Sequence, residues 1–216
     1  MHDTLVILGA GLHGQHLAGM LDAIDHAYQQ IVFLDDRRAL LGERLAGHEV
    51  VGTVAQIESL TAPGTHFLVG AGNRSMADRA ALFARGSAAM QAAQLAHPTS
   101  VCSPHAQLGA GTVLFPLAVV NPFARVGANG VIYTGASVEH HCRLDENVWL
   151  SPGVHLGGGV AVGRDTFVGV GATLSADVRI GKQCLIGAGA VVIRDVPDAT
   201  VWAGVPARKL RDNRAW

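Results

Sequence analysis

The chain has 216 residues, a net charge of −1, 27 glycines and an aromatic content of only 5%. Lys and Arg are not clustered, so the sequence favours neither a nucleic-acid surface nor a polybasic membrane patch. No run of about 18 apolar residues occurs, and we therefore expect no membrane-spanning helix and no membrane insertion.

The first predicted elements are a strand, a glycine-rich turn and a helix. Leu5–Leu8 is a short apolar run, residues 9–14 read Gly-Ala-Gly-Leu-His-Gly, and Gln15–Tyr28 carries apolar residues at helical spacing. In this context the glycines let the backbone approach a diphosphate, and the helix N-terminus supplies amide donors. A glycine-rich packing turn that holds the helix against the sheet explains the motif equally well.

A second predicted strand, Ile31–Leu34, ends in two acidic residues, Asp35 and Asp36. Asp35 lies 21 residues past Gly14, about where an acidic side chain meets a ribose hydroxyl in such units. Only one βαβαβ half is present, whereas a dinucleotide normally spans two, so NAD is disfavoured. A mononucleotide, such as the nucleoside diphosphate of an activated sugar, fits the size of the domain better.

The rest of the front half predicts one more strand and further helix. Phe67–Val69 is the third strand, Gly-Ala-Gly-Asn follows at 70–73, and a helix is expected over residues 75–84. The alanine-rich stretch Ala80–Ala96 is also predicted to be helical and to end at the following His-Pro pair, because a residue before proline avoids the helical conformation. We expect a Rossmann-like α/β domain over residues 1–97.

The second half, residues 98–216, is dominated by a six-residue repeat. Every sixth residue from Leu108 to Val192 is Leu, Ile or Val, and a second, smaller set of residues stands four positions after each. A period of six matches neither a helix nor an ordinary strand and is typical of solenoids. It predicts a parallel β-helix with 18 residues per triangular coil and five coils, into which a last strand near residues 96–101 leads. Cys142 and Cys184 fall at small interior positions, which predicts buried free thiols.

The candidate chemistry of the β-helix lies in the segment Val-Glu-His-His-Cys, residues 138–142. His140 and His141 occupy positions outside the core, and the residue one coil beyond His140 is Gly158. A histidine under a bare glycine backbone is suited to act as a general base beside an amide that binds an oxyanion. The alternative is that both histidines are exposed corner residues without a chemical role.

The unbroken register also predicts how the site is completed. No long loop interrupts residues 108–197, so a single subunit offers flat faces and no enclosed pocket. An active site would then need a wall from a neighbouring copy, and three-fold assembly is the natural expectation.

These motifs, taken in order, resemble one family. Gly-Ala-Gly-Leu-His-Gly and Leu-Asp-Asp at the front, Glu-His-His-Cys in the hexapeptides and Gly-Val-Pro-Ala-Arg at 204–208 look like the bacterial sugar acetyltransferases of the sialic-acid O-acetyltransferase and nucleotide-aminosugar N-acetyltransferase type, the PglD/NeuD group. The resemblance covers essentially the whole chain. It implies a homotrimer, a left-handed β-helix, acetyl-CoA bound between adjacent helices and a nucleotide sugar held by the front domain.

The resemblance also implies roles for individual residues. His140 matches the family's histidine base, and Gly158 matches the glycine whose amide faces the thioester carbonyl and so also contacts acetyl-CoA. Gly11, His13 and Asp35 match positions near the nucleotide. Asp36, next to Asp35, and Asn73, in the turn after the third predicted strand, are also expected to bind the substrate. The CoA-binding end is expected to include Gly187, Ala188, Gly204, Pro206 and Arg208.

Three positions depart from the family pattern. The residue after the base is usually acidic, and here it is His141, which cannot act as a carboxylate that raises the basicity of His140. Trp149 stands where a histidine often occurs, and Tyr133 stands where an asparagine commonly precedes the base by seven residues. The departures suggest a different acceptor or less reliance on base catalysis, without loss of the CoA site.

The sequence therefore predicts an acetyl-CoA-dependent acetyltransferase that acts on the amino group of a nucleotide-linked amino sugar in bacterial surface glycan biosynthesis, with His140 as general base. The alternative reactions are O-acetylation of a sialic-acid-like sugar hydroxyl and zinc chemistry at His140, His141 and His155. We expect no metal, because residues 140 and 155 do not stack. A scaffold trimer without activity is a further alternative. Met1 leads directly into the first strand, and we expect a cytoplasmic protein.

Overall fold

A computed structural model describes residues 3–73 and 75–213 and divides into two compact units. The first contains the chain up to Asn73 together with Asp78–Gln94, and the second contains Leu95 onward together with the short segment before residue 78. Met1, on which the expected localisation depends, lies outside the described residues. The predicted architecture, an α/β domain followed by a left-handed parallel β-helix, is confirmed.

The front unit is a six-stranded sheet with two helices. Its strand order is β3-β4-β2-β1-β5-β6, and β1, β2, β4, β5 and β6 run parallel. The elements are β1 (Thr4–Leu8), α1 (Leu12–Leu21), β2 (Gln30–Leu34), β3 (Arg44–Leu45), β4 (His48–Gly52), β5 (Thr65–Val69), α2 (Met76–Ala89) and β6 (Gln91–Ala92), with 3₁₀ turns at Arg38–Leu40 and Val54–Leu60. The three central strands carry continuous apolar runs because both faces of a parallel sheet are covered.

Several boundaries in this unit differ from the sequence prediction. Helix α1 ends at Leu21 instead of Tyr28, because Asp22 caps it and the next residues turn through shorter hydrogen bonds. The antiparallel hairpin of β3 and β4 was not predicted, since its alternation is short. Helix α2 is confirmed but extends to Ala89, and the predicted helix over 80–96 is wrong beyond that residue. The chain there forms β6 and then the first strand of the second unit, because pairing with existing strands outweighs alanine's helix propensity.

The second unit is a β-helix whose short strands form three parallel sheets, here called faces I, II and III. Face I contains Leu95–Ala96, Val113–Leu114, Val131–Ile132, Trp149–Leu150, Phe167–Val168 and Leu185–Ile186, and it continues into Thr200–Ala203 and Arg208–Asp212. Face II contains Val101–Cys102, Val119–Val120, Ser137–Val138, His155–Leu156, Thr173–Leu174 and Val191–Val192. Face III contains Gln107–Leu108, Arg125–Val126, Arg143–Leu144, Ala161–Val162 and Arg179–Ile180.

The predicted register is confirmed strand by strand. Val138 pairs with Leu156 and Leu156 with Leu174, so residues 18 apart are neighbours on adjacent coils. The Leu, Ile and Val positions from Leu114 to Val192 are at most 3% exposed, and the smaller residues four positions later are buried beside them. The interior of the solenoid is therefore a continuous column of mainly apolar side chains, in which the hydroxyls of buried Thr112 and Thr166 donate to backbone carbonyls.

The β-helix begins earlier than the five predicted coils. Leu95–Ala96 and Val101–Cys102 already pair with the strands one coil later, so Ala96 and Cys102 continue the six-residue register upstream of Leu108. The sequence reading missed them as repeat positions because Ala and Cys are not among the large branched residues that mark the rest. Cys102 is exposed, whereas Cys142 and Cys184 are buried free thiols, as predicted.

Each corner of the β-helix contains one residue in the left-handed conformation. Every sixth position from 111 to 189 has a positive φ. Glycine accounts for six of these positions, and Asn or Asp for several others, as expected for residues that tolerate this region. Asn147 also forms hydrogen bonds to the corner residues one coil before and one coil after it: its Oδ1 accepts from Asn129 and its Nδ2 donates to Asp165. His141, with φ +61°, is one of the residues that break this preference.

The register ends after Val192. Thr200–Ala203 pairs parallel with Leu185–Ile186, and Arg208–Asp212 returns antiparallel beside it. The loop between them contains a cis bond at Val205–Pro206. This hairpin closes one end of face I.

Candidate active site

His140 and Gly158 lie against each other at the corner between faces II and III. A Cβ built on Gly158 would stand 2.6 Å from Cε1 and 2.7 Å from Nε2 of His140, but 3.3 Å from Nδ1. The Nε2 edge of the ring therefore faces the bare glycine backbone, and only glycine leaves room for it. The coils are also tied together here, because the N–H of Gly159 donates to the carbonyl of His140 at 2.9 Å.

The geometry of the corner leaves an amide available beside this ring. The N–H of Gly158 has no hydrogen-bond partner among the residues that the structure describes. The same corner position is occupied by proline at residues 116, 122 and 152, which shows that the fold needs no donor there. Gly158 is half-buried, so this N–H is able to bind a developing oxyanion.

The other ring nitrogen of His140 contacts His141. The two Nδ1 atoms are 3.1 Å apart, and the rings are nearly perpendicular at 83°. The ring of His141 packs against Phe123 one coil below, and Phe123 stacks on His105 one coil further down. Both His140 and His141 are exposed, so the pair is open to a ligand.

The thiol of Cys142 is excluded as a nucleophile although it follows the histidines in sequence. Its side chain points into the solenoid core, and its Sγ donates to the carbonyl of Gly157 at 3.2 Å. Burial, followed by weaker influences that include the charge of Glu139, raises the pKa of this thiol to about 11. A thiol that stays protonated at neutral pH does not form an acyl-enzyme, since the thiolate is the nucleophile.

Two of the residues that depart from the family pattern lie together in an aromatic stack. Tyr133 is parallel to Phe115, with ring centroids 4.1 Å apart and an angle of 5°, and it contacts Trp149 at 5.1 Å. Trp149 is only 5% exposed although its strand position points outward. Tyr133 and Trp149, two of the residues that differ from the family pattern, therefore belong to one packing cluster on and beside face I.

The third histidine of the zinc alternative lies apart from the first two. Nδ1 of His155 is 2.8 Å from the hydroxyl of Ser137 on face II. Within residues 3–73 and 75–213, no group of three or more His, Cys, Asp or Glu side chains is arranged to hold a metal ion.

The residues predicted to bind CoA lie at another corner, between faces I and II. Gly187 packs closely against Ala203, Ala188 is exposed, and Gly204 and Pro206 form the exposed terminal loop. Ala188 is three coils beyond Thr134, the corresponding corner residue in the coil of His140, which is about 14 Å along the axis at the usual strand spacing. A single β-helix therefore does not bring these residues together with His140. Exposed Arg208 starts the last strand, and its guanidinium donates to the carbonyl of Ala207.

The glycines in and around the glycine-rich turn of the front unit are of two kinds. Some are packed so closely that a side chain would not fit, and one, Gly11, has free space at its Cβ position. A Cβ on Gly14 or on Gly70 would collide with the carbonyl oxygen of Gly9, so these residues hold α1 and the turn after β5 against β1. Gly11 is different, because its φ is −73° and nothing lies within 4 Å of its Cβ position. Packing explains Gly14 but not Gly11, whose open backbone at the start of α1 is suited to approach by an anion.

His13, which the resemblance places near the nucleotide, is buried in this turn. It is 6% exposed, and burial, then the charge of Arg79, then His16 lower its pKa well below 6.5. Arg79, which the sequence analysis did not single out, is only 1% exposed and donates to the carbonyl of Ala71 beside the glycine turn. A buried arginine at this edge supplies positive charge, and no sequence motif marked it.

The predicted acidic residues have defined partners. Oδ2 of Asp35 accepts from the N–H of Ala10 at 2.7 Å, and both carboxylate oxygens accept from the guanidinium of Arg37 at 2.8 Å. Burial opposes ionisation, but the hydrogen bonds from Arg37 and Ala10 outweigh it and lower the pKa of Asp35 to about 2. Asp36 accepts from the N–H of Val54, and Asn73 is half-buried in the turn before α2.

Comparison with protein families and solved structures gives consistent matches. Residues 4–82 match the PglD N-terminal domain, and residues 159–194 match the hexapeptide repeat of succinyl-transferase. The acetyltransferase domain of PglB from Neisseria gonorrhoeae FA1090 is 34% identical, with a TM-score of 0.89 over 97% of this chain and 100% of that chain. It has also been solved in complex with acetyl coenzyme A.

A second relative has been solved with both substrate-side and CoA ligands. A histidine-to-asparagine variant of perosamine N-acetyltransferase from Caulobacter crescentus, in complex with CoA and GDP-perosamine, is 33% identical with a TM-score of 0.87, covering 97% of each chain. WeeI from Acinetobacter baumannii AYE shares the fold at 22% identity, with 96% of this chain and 99% of that chain covered and a TM-score of 0.81. No curated protein sequence matches the chain. None of the described helices is long and apolar enough to cross a membrane.

Proposed function

The chain belongs to the PglD family of sugar acetyltransferases, and we propose that it transfers the acetyl group of acetyl-CoA to the amino group of a nucleotide-linked amino sugar. The observation that carries this proposal is the contact between the Nε2 edge of His140 and the bare backbone of Gly158. A base and an amide donor stand side by side there, at an exposed corner of an acyltransferase fold.

The proposed donor is acetyl-CoA. The acetyltransferase domain of PglB, 34% identical over nearly the whole chain, has been solved with that molecule. Gly187, Ala188, Gly204, Pro206 and Arg208 are proposed to bind CoA, with Arg208 as the residue that pairs with a phosphate. The buried Cys142 supports direct transfer from the thioester, since it offers no thiolate for a covalent intermediate.

The proposed acceptor is the amine of a sugar attached to a nucleoside diphosphate, and the front unit is proposed to bind the nucleotide. Gly11 has open space at its Cβ position and is the N-cap of α1, where amide donors and the helix dipole favour a phosphate. Arg79 supplies buried positive charge near that turn. Because GDP-perosamine is bound in a 33% identical relative, a GDP-linked amino sugar is the first acceptor to test.

The chemistry then proceeds by direct displacement. The lone pair of the amine attacks the thioester carbonyl carbon, and the resulting oxyanion accepts a hydrogen bond from the N–H of Gly158. Nε2 of His140 takes a proton from the attacking nitrogen. The C–S bond breaks, the proton passes to the departing CoA thiolate, and His140 is neutral again.

The proposed active form is a homotrimer. His140 and His141 are exposed, Phe123 beside them is 55% exposed, and the CoA-binding residues lie at a different corner of the same β-helix. A second copy of the β-helix would cover the corner and join the two sets of residues. Sedimentation equilibrium would detect three chains per particle, and a monomer with full activity would contradict this part of the proposal.

The experiment that tests the function is an acetylation assay with purified protein, acetyl-CoA and a panel of GDP-, UDP-, dTDP- and CMP-linked sugars. Each nucleotide is tested with an amino sugar and with the matching hydroxyl sugar. CoA release measures turnover, and alkali separates an amide, which survives, from an ester, which is hydrolysed. An alkali-stable product from one nucleotide amino sugar is expected. If only the hydroxyl sugars were acetylated, the proposed N-acetyltransferase activity would be wrong and the enzyme would be an O-acetyltransferase.

A further inference from the structure

The residue beside the proposed base is a second histidine whose ring nitrogen faces the first. Nδ1 of His141 lies 3.1 Å from Nδ1 of His140, and the near-perpendicular rings let the N–H of one point at the lone pair of the other. In a neutral imidazole one nitrogen is a donor and the other is an acceptor, so the contact fixes a tautomer in each ring.

The position of Gly158 determines which tautomer is productive. Nε2 of His140 faces the glycine corner, whereas Nδ1 faces His141. If Nδ1 of His140 donates, Nε2 has its lone pair exposed at the corner. If Nδ1 of His140 accepts, Nε2 carries the proton and cannot act as a base.

We propose that His141 is a positioning residue: neutral His141 accepts the Nδ1–H of His140 and thereby keeps the Nε2 lone pair of His140 directed at the Gly158 corner. The inference rests on the proposed function, in which His140 is the base. His141 takes over the orienting part of a carboxylate's role without supplying its negative charge.

The local backbone supports a specific role for this side chain. His141 has φ +61° at a corner position where glycine, Asn or Asp is usual, so an imidazole costs conformational energy that glycine would not. Its ring is also held in place, because Phe123 packs against it with centroids 5.0 Å apart, and His105 supports Phe123 at 5.6 Å. The aromatic column therefore fixes the orientation of the accepting nitrogen.

The arrangement makes the base sensitive to protonation of the pair. Protonated His141 has two N–H groups and no acceptor, so it would donate to Nδ1 of His140 and force the remaining proton of His140 onto Nε2. A carboxylate at this position would still accept the hydrogen bond under conditions that protonate a histidine, and it would raise the basicity of His140. The ionisable groups around the pair on its own segment and on neighbouring coils are His105, Arg125, Glu139, Arg143, His155 and Asp177.

The test compares three substitutions of His141 with a matched control at another corner. His141→Gly removes the acceptor and relieves the left-handed backbone. Because a misdirected base costs about 10- to 100-fold, kcat/KM for acetyl transfer is expected to fall by that factor. The melting temperature is expected to rise by about 2 °C. Activity and stability therefore move in opposite directions, which a structural role would not produce.

The other variants separate the acceptor from the ring. His141→Asn relieves the backbone and keeps an oxygen acceptor, so kcat/KM should stay within about three-fold of wild type. His141→Asp restores a carboxylate, and the acidic limb of the pH profile should move to higher pH because the carboxylate stabilises the protonated imidazole. The control Gln183→Gly changes another left-handed residue, with φ +56°, and should raise the melting temperature without changing kcat/KM.

A tautomer measurement keeps the inference separate from the proposed function. Nitrogen-15 NMR of the imidazoles should show the proton of neutral His140 on Nδ1 in wild type and a shift toward the Nε2 tautomer in His141→Gly. That result stands even if no nucleotide sugar is acetylated, in which case the proposed function alone fails. A wild-type His140 with its proton on Nε2, or His141→Gly with unchanged kcat/KM and pH profile, would overturn the inference.

Discussion

The imidazole of His140 fills the space that a side chain at Gly158 would occupy. Its Nε2 lies 2.7 Å from the Cβ position of that glycine, one coil further along the solenoid. The two residues are 18 positions apart in sequence, and the register of the strands on face II brings them together. The same regularity that forms the core therefore also assembles a base next to an amide donor.

Replacement of Gly158 by alanine is expected to push the ring of His140 out of this position. The new methyl group would stand well inside contact distance of Cε1 and Nε2, and a displacement of about 1 Å is enough to cost about 100-fold in rate. Because His140 is exposed, its ring is able to move, and we expect kcat to fall while the melting temperature changes little. Gly19→Ala, at an exposed helical glycine with nothing near its Cβ position, is the matched control and should leave kcat unchanged. A Gly158→Ala enzyme with wild-type kcat would remove this contact from the mechanism.

The two kinds of glycine in the front turn should respond differently to the same change. Gly11→Ala adds a methyl group in open space, so stability should be preserved while the nucleotide sugar binds about ten-fold more weakly. Gly14→Ala forces a methyl group onto the carbonyl of Gly9 and should cost about 2 kcal/mol of folding free energy. Isothermal titration and chemical denaturation measure the two effects. Unchanged affinity in Gly11→Ala would favour a purely structural turn.

The ion pair of Asp35 and Arg37 should make stability depend on acidity at low pH. The pKa of Asp35 is lowered to about 2 in the folded chain, so its contribution is present above about pH 4 and is lost as the pH falls toward 2. Asp35→Asn should lower the free energy of unfolding at pH 7 by about 1–2 kcal/mol, a value discounted for the exposed arginine. Urea denaturation at several pH values should show the wild-type advantage shrinking below pH 4. An advantage that is constant down to pH 2 would contradict the ion pair.

His13 should affect stability in a different pH range. Burial, together with Arg79 and His16, lowers its pKa below the ordinary 6.5, so below that pH the unfolded chain binds a proton that the folded chain does not. Wild type should therefore lose stability as the pH falls below about 6.5. His13→Gln should reduce this slope, whatever its effect on stability at pH 7.5. Equal slopes in both proteins between pH 7.5 and 5.5 would show that residue 13 titrates normally.

The period of six predicts the β-helix from sequence because each large branched residue occupies the same interior position, here at most 3% exposed from Leu114 onward. The prediction started two strands late, since Ala96 and Cys102 fill the same positions with small side chains. It also extended the alanine-rich helix past Ala89, because propensity does not reveal that Leu95 pairs with Val113. Long-range pairing decides such boundaries, and local sequence does not contain it.

The candidate site was partly predictable for the same reason. Gly158 stands 18 residues, or one full coil, after His140, so the repeat predicts that the two residues stack. The contact between His140 and His141 does not follow from the repeat, because it depends on a left-handed backbone at residue 141 that turns one ring toward the other. Arg79 was not predicted either, since a lone arginine in a helix usually lies on the surface, and only the fold shows that it is buried.

The most direct test of His140 as the general base is kcat/KM for acetyl transfer from acetyl-CoA to the nucleotide amino sugar that the acceptor panel identifies, measured for wild type and His140→Ala under identical conditions. A positioned general base contributes about 100- to 10,000-fold, and an amine nucleophile places the expected loss near the lower end of that range. We expect a loss of about 100-fold, with CoA affinity and melting temperature unchanged. A His140→Ala enzyme that acetylates the same amine at the wild-type rate would contradict this role.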